Sequence, residues 1–193
     1  MAVYKRMKRK VFIEGKNFLE RAYIGWQNDD LSLYGVKEGY KNSADDLVDI
    51  ALMQGRKNNI NILDTYIFPI MHSYRHSIEV SLKLIYYRAY NEIPKGGHDL
   101  LVIWDNYIIK RLLNDISISI NQNEIDEIRM IIKELQGQDS KADVWRYLIN
   151  KQGSLYFTEW EYIDYANLKE TINYLYSFLD GLYYAVDGFL SLL

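Results

Sequence analysis

Proline occurs in this chain only at positions 69 and 94, so over most of its 193 residues nothing interrupts a continuing helix. Between polar breaks, apolar residues recur at three- and four-residue intervals and not in alternation, which is the period of a helix burying one face. The expectation is a mostly α fold built from a few long helices.

The first helix is expected from Glu14 to Gln27, around Phe18, Leu19, Ala22 and Trp26, ending near Asn28-Asp29-Asp30. A second runs from Leu31 with Tyr40, Ala44, Leu47, Val48, Ala51 and Leu52 on its apolar face. Gly35 and Gly39 weaken its first half by about 1 kcal/mol each. After the polar stretch Gln54-Gly55-Arg56-Lys57-Asn58-Asn59, a third follows through Ile62, Tyr66, Ile70, Tyr74, Ile78, Leu82 and Ile85, with Pro69 bending it or marking its true start. It stops before the turn Glu92-Ile93-Pro94-Lys95-Gly96-Gly97, and His98 and Asp99 open a helix carrying Leu101, Trp104, Ile108 and Leu112.

Asn123 is placed to cap a helix with Ile125, Ile128, Ile132 and Leu135, with Asp126 completing an imperfect capping box and Gln136-Gly137 closing it. The helical period disappears between Asp139 and Thr158. There Val144 to Leu148 and Leu155 to Phe157 flank Asn150-Lys151-Gln152-Gly153-Ser154, the pattern of a small β-hairpin insert near 140–158. In the last segment Leu168, Ile172, Leu175, Leu179, Leu182, Val186, Phe189 and Leu193 are spaced 4-3-4-3-4-3-4, a heptad seam that suits either the inside of a bundle or a dimer axis. With no repeat or linker, residues 1–193 read as one helical domain.

Composition narrows the function classes. The chain is 49% hydrophobic and 25% charged, in the ordinary globular range. It has no cysteine, which excludes disulfides and thiolate chemistry and makes the cytoplasm the expected compartment. A net charge of -3 gives no global attraction to nucleic acid. No apolar run reaches the roughly 20 residues of a membrane span, so no membrane association is expected. The basic start, with Lys5, Arg6, Lys8, Arg9 and Lys10, reads either as a solvated terminus or as a phosphate-binding arm. The 18 tyrosines and 4 tryptophans are spread along the chain, as residues at core edges are.

One segment concentrates ionisable groups. His72, Arg75, His76, Glu79 and Lys83 lie at offsets of 0, 3, 4, 7 and 11. On a helix these fall within about 100° of arc. The other side of that segment carries Leu63, Ile67, Ile70, Tyr74, Ile78 and Ile85, so a helix buried along one face would present these groups in register. The stripe holds two of the chain's 3 histidines, the residue type most often used for proton transfer near neutrality.

Several alternatives lack their signatures. There is no glycine-rich loop ending in Lys-Ser or Lys-Thr and no Gly-x-Gly-x-x-Gly, so nucleotide hydrolysis and dinucleotide binding have no phosphate cradle. His-Glu-x-x-His, the paired Glu-x-x-His of di-iron bundles and Gly-x-Ser-x-Gly are also absent. His72, His76, Glu79 and His98 make the one candidate metal set, and Arg75 and Lys83 on the same face oppose a cation there; neither metal nor cofactor is expected.

The stretch Phe68-Pro69-Ile70-Met71-His72-Ser73-Tyr74-Arg75-His76-Ser77-Ile78-Glu79-Val80-Ser81-Leu82-Lys83, followed by Gly97-His98-Asp99-Leu100 and Trp104, resembles the helical core of HEPN-like bacterial proteins. Their pattern is an Arg-His-x-Ile-Glu-x-x-Leu-Lys helix, a short turn and a Gly-His-Asp-Leu helix start. Asp139-Ser140-Lys141-Ala142-Asp143-Val144-Trp145-Arg146-Tyr147, then Lys151-Gln152-Gly153, is similar to the Asp-x-x-Ser-x-x-Phe-Arg-Tyr insert of a subset of them. The resemblance covers about the central half of the chain. It implies an all-α bundle, often dimeric, in toxin and antiviral-defence settings, with RNA or a nucleotide as ligand and a protein partner from the same operon. Active members cut RNA without metal, using an arginine followed four to six residues later by a histidine. Here no histidine has an arginine four to seven positions before it, and Arg75 adjoins His76 directly.

As an RNA-cleaving site, this set assigns His76 and His98 as base and acid, with Glu79 one turn away to fix an imidazole tautomer. Arg75 and Arg146 would be phosphate forks, with Lys83, Tyr147 and His72 completing the substrate surface. The same residues also read as a structural ion network tying the 139–147 insert to the bundle, in a non-catalytic binding or dimerisation module.

Overall fold

The computed structural model describes residues 11, 12, 15–24, 29–116, 118–159 and 162–192. Its long elements are α1 (Asp29–Gly55), α2 (Ile60–Tyr90), α5 (Gln122–Gln138) and α7 (Tyr165–Leu190). Between α2 and α5 lie α3 (Leu100–Val102), a π-helical stretch (Ile103–Leu112) and α4 (Leu113–Ile116), which follow one another without a break. A single helical turn, α6 (Val144–Tyr147), sits between α5 and α7. The all-α expectation holds, and no helix among the described residues is long and apolar enough to cross a membrane.

α1 and α2 form a helical hairpin across residues 56–59, where Asn58 takes a left-handed conformation (φ 58°). Ala44, Val48 and Ala51 of α1 are fully buried with Ile70, Tyr74, Ile78 and Leu82 of α2, as their spacing requires. α2 runs thirty-one residues with Pro69 inside it, so the proline does not mark its start. It ends where Asn91 adopts φ 53° and returns its N–H to the Tyr87 carbonyl at 2.7 Å.

The heptad seam of α7 is consumed within the chain. Ile172, Leu175, Leu179, Leu182 and Val186 are buried in the same core as α2, which resolves the choice between bundle and dimer axis in favour of the bundle. Between α1 and α7 two lysines are buried by full pairing. Lys37 Nζ donates to Asp180 (2.6 Å), Tyr176 (2.9 Å) and Glu38 (2.9 Å), while Lys41 reaches Asp45 and Asn173, both at 2.5 Å. A buried ammonium needs such partners to offset its desolvation.

Three local expectations change. Residues 15–24 hold only a 3-10 turn, Phe18–Glu20, with Phe18 and Leu19 exposed; the expected helix there has no core to cover, and Trp26 and Gln27 lie outside the described residues. So does the basic start, residues 1–10. The cap of α5 is Asn121, whose side chain accepts from Asn123 N at 2.9 Å, two positions before the expected cap. The hairpin reduces to one antiparallel bridge, Ile149 to Leu155, closed by Asn150 Oδ1 accepting from Gln152 N and Ser154 N. Val144 to Tyr147 is instead helical, because Asp139 Oδ1 accepts from Asp143 N and Val144 N and Trp145 is buried between Phe68 and Phe157.

Candidate functional site

The stripe divides into a buried knot and a surface row. Arg75 lies at the centre of the knot, 2% exposed, and its guanidinium contacts three segments. Nε donates to the Asp139 carbonyl (3.0 Å), Nη1 to Glu79 (3.1 Å), and Nη2 to the His98 carbonyl (2.7 Å) and Gln136 Oε1 (3.3 Å). Gln136 Oε1 also accepts from Leu100 N at 2.9 Å, and its Nε2 donates to the Ser140 carbonyl. The knot thus ties α2 to the start of α3, the end of α5 and the turn before α6. Arg75, expected as a phosphate fork, has its donors spent on the protein.

Glu79 joins the two parts. Its carboxylate is 2% exposed and receives Lys83 Nζ at 2.7 Å, Arg75 at 3.1 Å and His98 Nδ1 at 2.9 Å. Burial alone would raise its pKa, but the hydrogen bond and charge of Lys83, with His98, hold it below the ordinary carboxylate range. A carboxylate only accepts hydrogen bonds, so in this contact Nδ1 of the His98 ring carries a proton, and in the neutral ring Nε2 is then the acceptor. The His98 side chain is 61% exposed, so a buried acid fixes the tautomer and orientation of a ring that solvent reaches. His98 holds this place because Gly97, at φ 59°, makes the turn and Asp99 caps α3 by accepting Val102 N at 2.9 Å.

His72 and His76, half-buried, stack nearly parallel with centroids 6.1 Å apart, and the Tyr40 ring of α1 stands edge-on to His76 at 4.4 Å. Desolvation lowers the pKa of both; the Arg146 charge adds to this for His72, and the His72, Lys83 and His98 charges do so for His76. Both rings therefore favour their neutral forms. Arg146 is exposed, anchored by Nε to the Ala142 carbonyl at 2.7 Å, with its guanidinium 5.2 Å from the centre of the exposed Tyr147 ring.

The surface row thus runs from Arg146 and Tyr147 past His72 and His76 to Lys83 and His98. From His72 to Lys83 it follows α2 for about 16 Å. Among the described residues no group of three or more His, Asp or Glu side chains is disposed around a common metal position.

Gln136 and Asp139 went unassigned as site residues in the sequence. Both were signalled there: four residues after Ile132 and Leu135, they continue the buried register of α5 with polar side chains. Tyr40 reads in sequence as an apolar-face residue, and only packing shows it against the histidines.

No family model matches this chain, and neither a curated protein nor a solved structure matches it.

Proposed function

We propose that this chain is a HEPN-like domain that acts on RNA through the row from Arg146 to His98, in the defence or toxin setting the resemblance implies. The observation that carries the reading is the Glu79–His98 pair: a solvent-reached imidazole whose Nδ1 is held by a buried carboxylate 2.9 Å away, leaving Nε2 to exchange a proton.

Cleavage of an RNA strand needs a group to take the 2′-hydroxyl proton, a group to protonate the leaving oxygen, and cations beside the phosphate. His98 Nε2 is the exposed proton acceptor. Glu79 does not touch substrate in this scheme; it fixes the tautomer and orientation of the ring. His76, one turn from Glu79 along α2, is the second proton-transfer group. Arg146 supplies the accessible guanidinium for phosphate, and Tyr147 beside it supplies a ring on which a base stacks. Lys83 contributes its charge from the Glu79 side.

A second reading has its own observation. Arg75, Glu79, Gln136 and Asp139 are buried and largely satisfied by one another, as in a structural network. It makes the domain a binding module that engages RNA or a protein partner from the same operon without cutting. A homodimer, under either reading, forms through surfaces other than the α7 seam.

Purified protein incubated with total RNA in chelator separates the readings. Cleavage by wild type that is lost in His98→Ala and His76→Ala, with melting unchanged, supports the nuclease. Retained RNA binding without cleavage, abolished in Arg146→Glu, supports the module. An outcome with neither binding nor cleavage rejects the nuclease and the RNA-binding form of the module, and leaves only a protein partner for it.

A further inference from the structure

A cavity of about 430 Å³ lies between the start of α2, α6 and the start of α7, with neither Arg146 nor Tyr147 in its lining. Its walls include the aromatic side chains of Phe68, Trp145, Phe157, Tyr162 and Tyr165. Phe68 and Phe157 flank Trp145 with centroids 6.2 and 5.0 Å from it and planes tilted by 44° and 43°, so these rings form a concave surface. The volume lies in the range of small-molecule sites.

Among the described residues, the charge on this cavity has one sign. Asp64 is the single charged residue among the described ones that line it, is exposed, and its carboxylate enters no hydrogen bond or ion pair with the described residues. An adjoining cavity of about 290 Å³, which shares Trp145 and Tyr162, is lined by Glu134 and Asp164 and by no Lys, Arg or His. A phosphate or other anion would find no counter-charge among the described residues of either. Aromatic faces attract a cation through their quadrupoles, most strongly where water is excluded, and a carboxylate at the rim adds a direct Coulomb attraction.

We infer that the cavity walled by Phe68, Trp145, Phe157, Tyr162 and Tyr165 is a binding site for a small alkylammonium cation, with Asp64 as its counter-charge. The site is separate from the His98 row and does not depend on the RNA reading. The Asp64 carboxylate is close enough to Tyr165 to help burial push its phenol up to about 12, so Tyr165 is a neutral wall at physiological pH. Tyr165 is fixed there by donating to the Leu63 carbonyl at 2.5 Å.

The probe is choline, titrated calorimetrically into the full chain beside its uncharged isostere 3,3-dimethylbutan-1-ol, which has the same shape with carbon in place of nitrogen. Choline is expected to bind and the alcohol to bind at least about tenfold more weakly, the range of a desolvated cation–π contact. Asp64→Asn and Phe157→Leu should each weaken choline by about fivefold or more, with the melting temperature unchanged in Asp64→Asn, because Asp64 is exposed, and the fold retained in Phe157→Leu, because leucine keeps most of the phenylalanine volume. Equal binding of choline and the alcohol would overturn the inference. So would no choline binding, choline binding unaffected by Asp64→Asn, or displacement of choline by guanosine monophosphate.

Discussion

The carboxylate of Glu79, closed off inside α2, holds Nδ1 of the exposed His98 ring at 2.9 Å across nineteen residues of chain. The same carboxylate takes Arg75 and Lys83, so the orientation of a surface imidazole is coupled to the group that fastens four segments together. Stability and the candidate chemistry therefore share one residue and can be separated by choosing which partner to remove.

Removing Arg75 breaks the knot. Arg75→Ala leaves Glu79 buried with one cation fewer and frees the Asp139 and His98 carbonyls and Gln136. Breaking a buried pair from one side typically costs about 3–5 kcal/mol. Urea denaturation should show a loss of that size, or no folded baseline at all; a loss below about 1 kcal/mol would mean that the network does not fasten the fold.

Gln136→Leu tests the same knot more gently. It leaves the Leu100 N–H without its acceptor at a buried position. The expected cost is about 1–3 kcal/mol, read from the denaturation midpoint at constant slope.

Leu175→Asp decides what the heptad seam does. Leu175 is fully buried in the chain's own core, so a carboxylate there should abolish helical circular dichroism. A folded variant that merely sediments as a smaller species would instead place the seam at a dimer axis.

Stability should fall on acidification in two steps. His72 and His76 have folded pKa values below their ordinary value, so the unfolded chain binds their protons first and stability drops as pH falls through about 6.5. Glu79 is depressed as well, and its contribution is present above the unfolded pKa and is lost below about 4.3, as pH descends through the folded value. Melting temperature followed from about pH 8 down to about pH 2 should show both losses, and His72→Gln with His76→Gln should remove most of the upper one. A melting temperature that rises between about pH 7 and 5.5 would contradict these directions.

Much of this arrangement was legible in the residues. Period and the scarcity of proline gave α1, α2, α5 and α7, and the offsets of His72, Arg75, His76, Glu79 and Lys83 placed them on one side of α2 as found. What periodicity does not encode is which part of a stripe is covered. Arg75 and Glu79 are buried because Gln136 and Asp139, distant in sequence, close over them, whereas Lys83 and His98 lie at the edge of that cover. Within residues 15–24 the expected helix is missing for the converse reason: an apolar pattern forms a helix when a partner face exists to bury it, and Phe18 and Leu19 have none among the described residues. Val144 to Leu148 is β-like in composition, yet Asp139 capping the turn outweighs that local preference.

The most direct measurement is the rate at which the purified chain cleaves an end-labelled oligoribonucleotide in the presence of chelator, for wild type and His98→Ala side by side. His98 donates only its ring to Glu79, and its backbone carbonyl still receives Arg75 in the variant. The variant should therefore fold and melt as wild type does, while cleavage falls by about a hundredfold or more, the contribution of a positioned acid or base. Equal rates in the two proteins, or no cleavage by wild type at any pH between about 5 and 9, would contradict a proton-transfer role for the Glu79–His98 pair.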